Sequence, residues 1–267
     1  MRRLVSALLV LSGVYGVVVA HAQAPAPAMP DAGFSAEVFH SDLFTGAATF
    51  AVPLTLPPGV ADMAPSLALA YNSGAGNGWL GVGWGLDFGF VGRSARVPGG
   101  FMIQIPGAVS ELVGINIDAS GVGEYRTQTE TFLKITFDGA AWTVREKSGR
   151  RSIYGSAAPS RVGSDRATGP GTSRWHLDTV SDPAGNTITY SYLYDQGQLY
   201  PSRIDYTSNP VVGLAAARSV RFFLEPRPDR ETAHLPGVTV TTALRLKAID
   251  VIADVTTGQR ALGWSLV

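Results

Sequence analysis

The sequence predicts an all-β protein: multi-stranded antiparallel sheets forming a sandwich, barrel or β-shell after an N-terminal signal helix. Three observations carry this. From Phe34 onward apolar residues alternate with a period of two. Turn residues break the alternation about every ten positions. No segment sustains the 3.6-residue apolar spacing of an amphipathic helix, and 31 Gly with 17 Pro favour turns over long helices.

The strands follow in order. Ala48 to Leu54 reads as a strand stopped by Pro57-Pro58-Gly59. Ser66 to Tyr71 alternates small or polar with apolar residues and ends in the turn Asn72-Ser73-Gly74. Phe132 to Phe137, then Asp138-Gly139, then Ala141 to Val144 predict a hairpin. The Asp-Gly pair there suits the positive φ angles of a type I′ turn. Ile188 to Tyr194, Val220 to Leu224 and Val238 to Thr242 are further strands, while Leu244 to Val251 fits a strand or a short helix. Leu262 to Val267 reads as a final strand.

The chain ends divide naturally. Arg2 and Arg3 precede an uncharged apolar run, Leu4 to Ala20, and Ala20-His21-Ala22 supplies an A-x-A cleavage site. Residues 1–22 are therefore expected to be a secretory signal peptide. The competing reading is an uncleaved anchor, but the run is at the short end of the roughly 17–25 residues that span a bilayer. Residues 23–33 are Ala/Pro-rich and predict an extended linker. Residues 34–267 are expected to form the folded all-β domain, exported through the periplasm and free of the membrane once the signal is cleaved.

Composition excludes several functions. Lys+Arg and Asp+Glu balance at 21 each. With no basic stripe, nucleic acid and anionic membrane surfaces are poor partners. The 45% hydrophobic content suffices for a core. The chain has no Cys, which excludes thiol catalysis, Cys-ligated zinc and a lipoprotein anchor. A chain of this length can bury a core without disulfides.

No motif resolves into a catalytic, metal or cofactor site. Gly76, Gly78 and Gly81 satisfy G-x-G-x-x-G. A dinucleotide site also needs a helix after the glycines and an acid about 20 residues on, and Leu86 to Phe90 is strand-like. These glycines are better read as tight turns, with Trp79 and Trp84 covering a small core. His40, His176 and His234 are far apart and lack metal-ligand spacing, and Ser73, Ser110 and Ser173 sit in no nucleophile elbow. Glu111, Glu124, Glu130 and Asp138 could pair for acid–base chemistry, but solvated strand faces explain them better. Asp138 and Asp182 belong in turns.

An ordered set of segments carries a resemblance. Phe44 to Leu54, Leu56 to Gly59, Ala64 to Gly74 and Gly78 to Leu86 resemble the start of the N-terminal domain of the Salmonella virulence plasmid B protein family. The same domain opens the B components of insecticidal toxin complexes. Glu124 to Glu130, Lys147 to Gly155, Trp175 to Leu177, Asp182 to Tyr192, Tyr200 to Thr207 and Phe222 to Asp229 continue it in order. Asp182 to Tyr192 also resembles a tyrosine-aspartate (RHS/YD) repeat, with Gly185-Asn186 as the turn and Ile188, Tyr190 and Tyr192 on one face. Lys147 to Gly155 is a degenerate second copy.

The resemblance implies a role. In the toxin complexes the domain helps build an RHS-type β-shell around a toxic C-terminal polypeptide, and in the virulence protein it precedes an ADP-ribosyltransferase domain. Family members are also found in the cytoplasm. The transferase signature does not transfer here: Gln128-Thr129-Glu130 is a Q-x-E, but it precedes Thr172-Ser173 and no S-T-S exists.

The leading expectation is a non-enzymatic structural module of a secreted virulence or toxin protein, without cofactor. Its partners would be other parts of a toxin shell or a downstream chain, with self-association through an exposed sheet edge. The alternative is a cell-surface carbohydrate-binding module using Trp79, Trp142 and Trp175 as stacking platforms.

Overall fold

The computed structural model describes residues 39–41, 46–106, 108–163 and 171–265. The expected signal peptide and linker lie outside these residues, as do the last two positions of the expected final strand.

Alternating sequence becomes alternating burial. A small sheet holds β1 (Phe39–Ser41), β2 (Ala48–Pro53), β3 (Ala68–Asn72) and, beyond the two-residue strands β4 (Asn77–Gly78) and β5 (Gly81–Val82), β6 (Trp84–Gly85). Its order is β1-β2-β3-β6, and β4 pairs only with β5. An antiparallel meander follows: β7 (Phe90–Arg93), β8 (Phe101–Ile105), β9 (Ala108–Ile117), β10 (Gly123–Thr127), β11 (Lys134–Phe137), β12 (Trp142–Arg145) and β13 (Arg151–Tyr154). After β14 (Arg161–Gly163), β15 (Thr172–Ser181) pairs with β7 through Trp175↔Val91 and with β13 through Ser152↔Val180. The meander thereby closes into a barrel-like sheet. From β15 the sheet runs on through β16 (Thr187–Asp195), β17 (Gln198–Ser208), β18 (Arg218–Leu235), β19 (Val238–Asp254) and β20 (Gln259–Ser265).

The barrel is held by aromatic packing. Ile135 and Phe137 on β11 and Trp142 and Val144 on β12 are buried, two apart on each strand. Paired residues on antiparallel strands share a face, so Tyr154, opposite Trp142, points the same way. Phe137 stacks on Trp142 with ring centres 4.5 Å apart, and Phe101, Tyr125 and Trp175 pack around them. The Trp175 indole N–H donates to the Ala140 carbonyl at 2.9 Å. Each such edge or stacked pair adds about 0.5–1.5 kcal/mol beyond the area it buries. Ile204, Tyr206, Val220, Ile249 and Val251 carry the same core into the second half of the sheet.

Three hairpins share one turn design. In Asp118–Val122, Glu146–Arg150 and Asp182–Asn186 the first amide donates to the fifth carbonyl and the fourth amide to the first carbonyl. The fourth residue is Gly121, Gly149 or Gly185, at φ of +81, +84 and +89. A side chain other than glycine would be strained at these values. The acid at position one ties the turn: Asp118 accepts from the Ser120 hydroxyl and the Val122 amide, and these bonds hold its carboxyl below the usual range. Asp182 accepts from the Asn186 amide and side chain at 2.9 and 2.7 Å.

Two expectations need correction, and one open alternative is decided. Asp138-Gly139 is part of a four-residue connection, since Phe137 pairs with Trp142, and only Gly139 takes a positive φ. Asp138 instead accepts the amides of Ala140 and Ala141, which holds it out of the left-handed region a type I′ turn needs. The first strand of that hairpin starts at Lys134, because Phe132 sits at φ +58. Leu244 to Val251 is strand throughout, within β19: Leu246, Ile249 and Val251 are buried, and the three-residue step from Leu246 to Ile249 falls at the register shift opposite Phe223/Leu224.

The β18–β19 hairpin bends where pairing lapses between Pro226 and Glu231. Its tip meets β15, where the Ser173 hydroxyl donates to the Pro236 carbonyl. Arg227 sits inside the bend, 3% exposed. It donates to the Gly78 carbonyl at 2.7 Å, to Asn77 at 2.6 Å and to Asp229 at 2.7 Å. One guanidinium thus fastens the glycine-rich loop to the bend and holds Asp229 well below the usual carboxylate range. Arg227→Ala leaves the half-buried Gly78 carbonyl and Asn77 side-chain oxygen without this donor. It is expected to cost about 2–4 kcal/mol, read as a lower urea midpoint, whereas Arg227→Lys recovers only part because it lacks the planar fork. Equal midpoints for parent and alanine variant would remove this clamp from the argument.

Candidate functional site

The residues considered for chemistry do not converge. Glu124 pairs with Arg126 at 3.2 Å and Lys134 at 3.8 Å. Glu130 accepts the Phe132 amide, and Asp138 is committed to its turn. One Glu111 oxygen is buried without a partner, but no second carboxylate joins it in a metal-binding group among the described residues. Ser73 accepts the Ala48 amide, Ser110 donates to the Glu111 carbonyl and Ser173 serves the hairpin tip. His40 lies in β1, and His234 is exposed beside Thr239 at 3.1 Å. His176 is wedged between Phe90 and Tyr192, ring centres 5.8 and 5.5 Å away. Burial, with Arg174 nearby, pushes its pKa down to about 3, so it is neutral at physiological pH.

Gly76, Gly78 and Gly81 lie in and around the β4–β5 hairpin, not before a helix. Trp84 packs on Tyr71 and Phe50, and Trp79 packs edge-on against Tyr200. Trp142 and Trp175 are 0% exposed. Of the three rings the sugar-stacking reading named, the closed barrel puts Trp142 and Trp175 in its core, and Trp79 is half-buried.

Two features remain as sites of interaction. The first is the outer edge of β20, which among the described residues pairs only with β19. Six of its seven residues are exposed, including Leu262 at 41%, while Trp264 packs on the core. Its one charged side chain, Arg260, is bound to Asp250 at 2.7 Å. That pairing leaves the edge with little charge to repel another strand. The second is a cavity of about 270 Å³ where the hairpins β12–β13 and β15–β16 meet, lined by Val144, Tyr154, Leu177, Ile188 and Tyr190 among others.

Residues 43–98 match the family model "Salmonella virulence plasmid 65kDa B protein". The mono(ADP-ribosyl)transferase SpvB of Salmonella choleraesuis (strain SC-B67) is 27% identical over 201 residues, 64% of this chain and 33% of that protein. The N-terminal domain of effector protein SpvB from Salmonella typhimurium strain LT2 superposes with a TM-score of 0.59 at 18% identity, covering 75% of this chain and 86% of that domain. This is an SpvB-like fold. The same SpvB-like fold recurs in the Photorhabdus luminescens Tc holotoxin pore, with a TM-score of 0.62 at 18% identity over 77% of this chain and 13% of that one. The chain spans about a third of the length of the curated relatives it matches. The resemblance read in the sequence is therefore upheld, and the all-β class with it.

Sequence reasoning missed the cavity. Its two tyrosines, Tyr154 and Tyr190, each stand five residues after the turn glycine, Gly149 or Gly185. That common spacing was visible in the two repeat-like segments. Their convergence was not, because it depends on β13 and β16 flanking β15. Among the described residues no helix is long and apolar enough to cross a membrane.

Proposed function

We propose that the chain is a non-enzymatic structural module of a secreted virulence or toxin protein. It contributes an SpvB-like, RHS-type β-shell element that houses or carries a toxic part located elsewhere. The observation that carries this reading is the sheet itself, closed at the barrel end and bounded among the described residues by the weakly charged strand β20. A closed barrel anchors the module, and an open, weakly charged edge lets another sheet continue from it. The fold's presence within SpvB and within a Tc holotoxin supports a toxin context, and the side chains tied up in turns and clamps support a structural role. The partner is then the next strand of a shell, taken up by antiparallel pairing along Gln259–Ser265.

The test has two readouts. The purified protein is expected to self-associate with rising concentration in sedimentation velocity, and Leu262→Lys to shift it toward monomer. It is also expected to transfer no label from NAD to proteins of a host-cell lysate. A parent that stays monomeric at the highest concentration defeats the edge, and label transfer defeats the non-enzymatic reading.

A further inference from the structure

The cavity between the β12–β13 and β15–β16 hairpins carries an inference independent of the shell reading. Its floor is apolar, with Ile105, Val144, Leu177 and Ile188 contributing. Its polar lining is mostly donors. Tyr154 is 4% exposed, yet neither its hydroxyl nor that of Tyr190 has a hydrogen-bond partner among the described residues. Neither hydroxyl is among the buried atoms left without a partner, so both open onto the cavity and are free to donate into it. Arg150 stands at the same cavity with no ion pair among the described residues, and Ser152 adds another donor.

The charges on the lining select among ligands. Asp87 and Glu146 line the cavity as well. Asp87 is engaged by the Gly89 amide and the Gln104 side chain, and Glu146 by Ser148. Two carboxylates against one guanidinium disfavour an anion. Both Asp87 oxygens and one Glu146 oxygen are already accepting, so the free donors of the lining favour an acceptor. Burial raises both tyrosines far above their ordinary range, with Asp87 and Glu146 adding to this at Tyr154, so both remain O–H donors. The volume is near the lower limit of the roughly 300–1,000 Å³ typical of small-molecule sites.

We infer that this cavity is a binding site for a compact, uncharged ligand: an apolar ring on the floor, with a carbonyl-type oxygen accepting from Tyr154 and Tyr190. Nothing in the shell role requires it.

The experiment uses three ring-sized probes that differ in charge, benzamide, benzoate and benzylamine, titrated into the full chain by isothermal calorimetry. Benzamide is expected to bind saturably and more tightly than the other two. The double substitution Tyr154→Phe with Tyr190→Phe, which keeps the rings, is expected to weaken it by about tenfold or more. Methyl-resolved spectra of the parent provide a readout that does not depend on the variant folding. Benzamide should move the Leu177, Val180 and Ile188 methyls and leave those of distant, exposed Val97 in place. No saturable benzamide binding, tighter benzoate binding, unchanged affinity in a folded double variant, or shifts confined to other methyls would each overturn the inference.

Discussion

Trp175→Ala is expected to be the most damaging single substitution in the barrel, lowering stability by about 3–5 kcal/mol. Trp175 is fully buried on β15, the strand that both closes the barrel and starts the second half of the sheet. Its ring contacts Phe101, Phe137 and Trp142, and its N–H satisfies the Ala140 carbonyl in the β11–β12 connection. Gly155 faces the ring so closely that a Cβ there would lie 2.2 Å from it. The surroundings are thus shaped around an indole and cannot collapse into the space it leaves. Against a net stability of about 5–15 kcal/mol for a domain, the loss threatens the fold itself. Urea denaturation followed by far-UV circular dichroism measures it, with Trp175→Phe expected to fall between parent and alanine. A cost under about 1 kcal/mol would mean that the closure does not depend on this ring.

The second large effect is a loss of stability in mild acid. His176 titrates near 3 when folded and near 6.5 when unfolded. Below pH 6.5 the unfolded chain takes up a proton that the folded chain refuses. Stability from this residue is therefore fully present above 6.5 and falls by about 1.4 kcal/mol per unit as pH drops toward 3. At pH 5 the loss is about 2 kcal/mol. Arg174 lies beside it and Asp87 lines the same hollow. Burial lowers the histidine first and the Arg174 charge adds to it, so Asp87 does not hold the imidazolium. Carboxylates with depressed pKa values, such as Asp118 and Glu225, contribute only at lower pH, so the window from 7 to 5 isolates the histidine. Melting temperatures across that window should fall for the parent and stay nearly level for His176→Phe. A parent with equal stability at both ends, or a variant that keeps the slope, would assign the acid response elsewhere.

How much was legible beforehand divides along a physical line. Period-two alternation identified β2, β11, β12 and β16 to within a few residues, because local burial and local sequence share that period. Asp182, Gly185 and Asn186 could be read as a turn for a similar reason: every bond that closes it is within four residues. The type I′ expectation at Asp138-Gly139 failed on a local detail, the competing side-chain bonds from Asp138. The long-range contacts were less legible: the partners of Arg227, Asn77 and Gly78, are 150 and 149 residues away.

The sequence by itself determined the all-β class, the likeness to the SpvB domain and the lack of a recognisable catalytic motif, since each is written in residue type and short spacing. Only the tertiary structure decided that β15 closes a barrel, that Trp142 and Trp175 are core rather than surface, and that Tyr154 and Tyr190 meet at one cavity. Those outcomes depend on which strands become neighbours. That choice is made by packing the whole sheet at once, because any single strand could satisfy its own alternation against many partners.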